Sequence, residues 1–133
     1  MFAKSLSTLA LLVVAQLASV ANAAETFVIP DWVVPYRGET KWQASVGDTI
    51  VFDWTGLHNV FIHPNGGCNL RNAVFVGRES GASHTFTEAE GSADGTEMTF
   101  ACDIGNGSHC NFGEYQSIRL LQENPIDAKI PVQ

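Results

Sequence analysis

After its first 23 residues this 133-residue chain shows no sustained helical period; its apolar side chains recur instead at every second position in short runs. In 48–54, Ile50, Phe52 and Trp54 share one face, and in 95–102, Met98, Phe100 and Cys102 do the same. Glycine, proline or a small polar cluster interrupts the pattern about every ten residues. The same reading predicts strands over 26–29, 58–62, 73–76, 83–87 and 114–121. A chain of short, evenly punctuated strands can bury its apolar faces only by folding sheet on sheet, so the expected class is all-β, a sandwich or small barrel. The polar segment 87–95 is expected to be a loop or a short helical turn. No internal repeat or low-complexity stretch breaks the pattern.

The ends set the domain. Lys4, the apolar run 9–14 and the small-residue site Ala21-Asn22-Ala23 have the order of a secretory signal, expected over 1–23. That run is too short to stay in a membrane, so no stable insertion is expected after processing. Residues 24–122 then form one domain, and 123–133 reads as an extended tail without the apolar run of a lipid-anchor signal. The roughly 110 residues left after the signal are enough for one domain to bury a real core. The net charge of −7 argues against nucleic acid as a partner, and losing Lys4 makes it more negative. The three cysteines are an odd number for an oxidising compartment, which leaves one thiol to be explained.

Strand parity shows where that thiol goes. Cys102 shares the inward face of Met98 and Phe100. His58 shares parity with Val60 and Ile62, and Glu114 and Gln116 share it with Ile118 and Leu120. His63 falls on the other parity, beside Phe61, and His84 lies in a polar strand; neither is expected to be a ligand. His109 and Cys110 are adjacent, so if His109 faces inward along an extended chain, Cys110 points away and is free for a disulfide. Polar groups buried on apolar faces need partners or a metal. One thiolate and two imidazoles select copper in a trigonal site with a weaker axial ligand. The expected ligands are His58, Cys102, His109 and, on the axis, Glu114, with Gln116 as the alternative. Asn106-Gly107-Ser108 is formally a glycosylation sequon, but tight-turn chemistry accounts for it better.

At these residues the chain resembles the phytocyanins, small secreted cupredoxins. The likeness runs through Thr26-Phe27-Val28, Trp42, Val46-Gly47-Asp48 and the strand that follows. It continues through His58-Asn59-Val60, Cys68-Asn69 and the Cys102, His109-Cys110, Gly113 segment. The resemblance implies a Greek-key sandwich of two sheets with seven to eight strands. It implies a Cys68–Cys110 disulfide and one type 1-like copper held by His58, Cys102 and His109. Two departures stand out. The family usually places four residues between the ligand Cys and His, and six stand here; Glu114 takes the position where Met or Gln is usual. An anionic axial oxygen favours Cu(II) over Cu(I), which implies a low reduction potential and a green or red site rather than a blue one.

The expected function is one-electron transfer by a secreted or cell-envelope monomer (periplasmic in a bacterium), not an enzyme. Its partner would be a small redox protein or a small-molecule reductant, and Leu57, Phe112 and Pro64 would supply an apolar docking rim. The same ligands could serve copper sequestration or delivery, or an open red-copper site that binds a small molecule. Zinc also accepts Cys, His and Glu, but copper binds such sites more tightly. A Cys102–His109 nucleophile pair lacks a visible orienting third group.

Overall fold

A computed structural model of the chain describes residues 23–38, 41–93 and 95–122. The expected signal, except its last residue, and the expected tail 123–133 lie outside the described residues.

Eight strands follow in the order β1 (Thr26–Ile29), β2 (Lys41–Ser45), β3 (Thr49–Phe52), β4 (Val60–His63), β5 (Val74–Gly77), β6 (Ala82–Thr85), β7 (Thr96–Ala101) and β8 (Tyr115–Leu121). One 3-10 turn at Glu90–Ser92 falls in the expected loop, and one helical turn, α1, spans Ser108–Asn111. The strands make a three-stranded sheet, β1-β3-β6, and a five-stranded sheet, β2-β8-β7-β4-β5. The chain crosses between sheets repeatedly, as a Greek-key sandwich requires. The β1–β3 and β2–β8 pairs are parallel, and the other pairs are antiparallel.

Alternation sets which faces meet. Ile50, Phe52, Phe100, Ile118 and Leu120 are all buried, as their parity predicts. β3 is Thr-Ile-Val-Phe, β-branched and aromatic residues that suit a pleated surface. The aromatic centre runs from Trp32 to Phe52 at 4.9 Å and from Phe52 to Phe100 at 5.3 Å between ring centroids. Such ring pairs add about 0.5–1.5 kcal/mol each beyond the area they bury. The Val46-Gly47-Asp48 motif has a local cause. Gly47 sits at φ 90°, and the buried Asp48 carboxylate accepts the Ser45 and Glu25 N–H groups at 2.9 and 2.8 Å.

Three expectations need correction. Alternation predicts no strand over 41–45, yet β2 pairs with β8 along its whole length. His63, on the parity opposite Val60 and Ile62, is not exposed: it is buried where the Gly67 carbonyl and the Asp103 carboxylate close over its ring. The stretch around His109 and Cys110 is helical rather than extended.

Candidate metal centre

The thiol, both imidazoles and the carboxylate nominated from the sequence come together at one end of the sandwich. A ring nitrogen of His58, Cys102 Sγ, a ring nitrogen of His109 and a Glu114 oxygen all lie within 4.8 Å of one another. Cys102 directly follows β7 and Glu114 directly precedes β8, so the pairing of those two strands sets their separation. The Cys102 N–H donates to the Glu114 carbonyl at 3.1 Å, which closes the ladder. His58 stands two residues before β4, the other neighbour of β7.

The connection from Cys102 to Glu114 is closed by its own backbone. Gly105, Asn106 and Gly107 all have positive φ, at 67°, 55° and 85°. That left-handed run needs the Gly-Asn-Gly sequence, because a Cβ there is strained for most residues. The turn it makes leads into α1, where the His109 ring faces the cluster while Cys110 forms a disulfide with Cys68. The Glu114 N–H donates to the His109 carbonyl at 3.0 Å, and Cys110 N–H donates to the Cys102 carbonyl at 3.1 Å. At Gly113 φ is 104°, and a Cβ would come within 3.2 Å of Pro35 Cβ, so only glycine turns the chain here to aim Glu114 inward.

The donor atoms crowd one another. His58 Nδ1 lies 3.0 Å from Glu114 Oε2, and His109 Nδ1 lies 3.1 Å from the same oxygen. Cys102 Sγ is 3.5 Å from His109 Nδ1. Glu114 is fully buried, and its Oε1, although 2.8 Å from His58 Nδ1, makes no hydrogen bond. Lone pairs converging in this way repel unless protons or a cation lie between them. Donors about 2.0–2.3 Å from one ion stand roughly 3.3–3.7 Å apart in a tetrahedral arrangement, so the residues present fit a single metal ion with little movement. Soft sulfur plus two imidazoles fits copper in particular.

Burial governs the ionisation of the cluster without a metal. It pushes the Cys102 thiol up to about 12, with the nearby Glu114 carboxylate adding to the effect and backbone N–H groups opposing it. It raises the Glu114 carboxyl to about 7. His58 is lowered, by burial first and then by His109. A cation at the centre reverses each of these preferences, since it stabilises thiolate, carboxylate and neutral imidazole together.

Other nominated residues fall as follows. Gln116 is buried but donates its amide to the Ser117 carbonyl, and its Oε1 has no partner. Leu57 and Phe112 are 72% exposed and flank His58 and α1, where the rim is expected. Pro64 does not join them. It lies past the far end of β4 and lines an open groove of about 450 Å³ with Ile62, Val74 and Met98. His84 is paired with Glu90 at 2.9 Å, a partner the sequence pattern does not show. Sequence reasoning misses two positions near the centre: Asn59, whose N–H points at Cys102 Sγ at 3.4 Å, and Asp103, whose N–H donates to Asn59 Oδ1 at 2.7 Å. For Asn59 the signal is the His58-Asn59-Val60 motif itself, and for Asp103 it is the place directly after Cys102.

No protein-family model matches the chain, and no curated protein matches its sequence. Among solved structures it is similar to cucumber stellacyanin, described with Cu2+, at TM-score 0.55 and 23% identity over 77% of this chain and 100% of that one. It is also similar to spinach plantacyanin, at TM-score 0.51 and 24% identity over 71% and 98% of the two chains. At that identity the likeness is one of architecture. The chain therefore has the cupredoxin fold, in the form also taken by stellacyanin and plantacyanin.

Proposed function

We propose that this protein is a secreted, monomeric mononuclear copper protein that carries single electrons. His58, Cys102, His109 and Glu114 would hold the ion. The observation that carries the reading is the convergence of those four donors within 4.8 Å inside a cupredoxin sandwich. Bound copper would supply the one-electron couple.

The rest falls to the chain. Strands β7 and β8 hold Cys102 and Glu114 at fixed separation, and the disulfide at Cys110 ties α1, and with it His109, to Cys68. A frame of this stiffness keeps the ligands still while the charge changes, which favours fast exchange. The Cys102 and Glu114 side chains are closed to water, whereas the His109 side chain is 27% exposed. His109, on the helical turn that ends at the exposed Phe112, is the route by which a small redox protein or a small-molecule reductant would reach the centre. Among the described residues no helix is long and apolar enough to cross a membrane. The signal-like segment 1–23 and the disulfide support an extracellular or cell-envelope location.

Glu114 also supports a second reading. A buried anionic ligand holds Cu(II) more firmly than Cu(I), which suits copper sequestration or delivery. Absorption and EPR spectra of the copper-loaded protein test the assignment. An intense thiolate band is expected, lost in Cys102→Ser and shifted toward a bluer, higher-potential site in Glu114→Gln. Absence of that band in the wild type would end the proposal. Voltammetry separates the two readings: reversible cycling supports a carrier, and loss of copper on reduction supports storage.

A further inference from the structure

Behind the metal centre lies a buried histidine that the electron-transfer reading does not use. The His63 side chain is wholly inaccessible, and both ring nitrogens are engaged. Nδ1 is 2.8 Å from the Gly67 carbonyl, and Nε2 is 2.7 Å from Asp103 Oδ1. The carbonyl has no hydrogen to give, so Nδ1 must donate. A bare Nε2 facing a carboxylate at that distance would set lone pair against lone pair. One further proton therefore lies between Nε2 and Oδ1 and makes their contact a hydrogen bond.

Its location gives it a role. Asp103 is the residue after Cys102. Its N–H is held by Asn59 Oδ1, and the Asn59 N–H points at the Cys102 sulfur. Gly67 precedes Cys68, the disulfide partner of Cys110. One imidazole thus links the turn that bears the disulfide to the loop that bears the thiol.

We propose that His63 is a positioning residue for the metal centre: it clamps Asp103 against the Gly67 turn and so holds Asn59, whose N–H points at the Cys102 sulfur. Breaking the clamp loosens that N–H and leaves the thiolate more electron-rich, which favours the oxidised metal. The effect on potential rests on the copper reading, whereas the clamp itself does not.

Two measurements test these parts separately. In the metal-free protein, urea unfolding of His63→Gln, Asp103→Asn and the double variant should be non-additive, with a coupling of about tenfold in the folding constant. Additive effects overturn the clamp whether or not copper binds. In the copper-loaded protein, His63→Gln should shift the midpoint potential downward. Asp103→Asn, which weakens the same contact, should shift it the same way, and the double variant should go no further than the larger single shift. A residue that only supports the fold leaves the potential where it is, so an unmoved potential in His63→Gln overturns the positioning argument. Should His63→Gln not fold, the paired change His63→Leu with Asp103→Leu must restore folding; failure to do so also counts against the clamp.

Discussion

Replacing Glu114 with Gln should remove a large pH-dependent penalty from the metal-free protein. Burial holds the Glu114 carboxyl at about 7 instead of 4.5. The folded state therefore keeps a proton that the unfolded chain releases. The stability this contributes is complete below 4.5, declines as the pH rises, and is lost once the pH passes about 7. Each tenfold gain in proton affinity is worth about 1.4 kcal/mol, so ionising this carboxyl inside the fold costs roughly 2–3 kcal/mol by about pH 8. His58 acts in the other direction. Its ring is held below 6.5, so the fold gains stability as the unfolded chain's imidazole loses its proton. The Cys102 thiol, pushed up to about 12 from 9.0, stays protonated throughout and contributes no slope. The difference between variant and wild type isolates the carboxyl. Urea unfolding with a chelator present, followed by tryptophan fluorescence, should show Glu114→Gln gaining roughly 2–3 kcal/mol over wild type between about pH 5 and about pH 8. A difference that stays level across that range would refute the reasoning.

Three further outcomes concern stability and the choice of axial ligand. Replacing Cys68 and Cys110 together with Ala opens a link across a sequence separation of 42. Loop-closure entropy puts the loss at about 4 kcal/mol, readable as a lower urea midpoint. Asn106→Val forces a β-branched residue into φ 55° and should cost roughly 1–2 kcal/mol, whereas Asn106→Gly should be nearly neutral in the same assay. Gln116→Leu removes a buried amide whose oxygen has no partner, so stability should hold or rise by about 1 kcal/mol. The copper spectrum should not change; a shifted thiolate band would make Gln116 the axial ligand instead.

Much of the molecule is legible in the sequence because it depends on alternation. A period of two places Ile50, Phe52, Phe100, Ile118 and Leu120 in the core, and the same count puts Cys102, Glu114 and Gln116 inside. What escapes has non-local causes. β2 is Lys-Trp-Gln-Ala-Ser, too polar to announce itself, and it is a strand because β8 offers a parallel edge. His63 is buried although its parity sets it off the core, because the Gly67 turn and Asp103, distant in sequence or in a loop, close over it. The Glu90 partner of His84 and the Asn59–Asp103 bond depend on segments that meet only in the fold. The loop is half legible: Gly-Asn-Gly announces a turn, but not the helical turn that follows it.

The stretch from Cys102 to Glu114 begins and ends on adjacent, hydrogen-bonded strands. Its anchor points are consequently indifferent to its length. The left-handed bend at Gly105, Asn106 and Gly107 turns the chain back toward its start, so length added there does not push the anchors apart. Three donors thus travel as a cassette, which can be exchanged, shortened or rewritten while the scaffold and His58 stay as they are. Grafting that cassette between the corresponding strands of a related sandwich would transplant its chemistry in a single step.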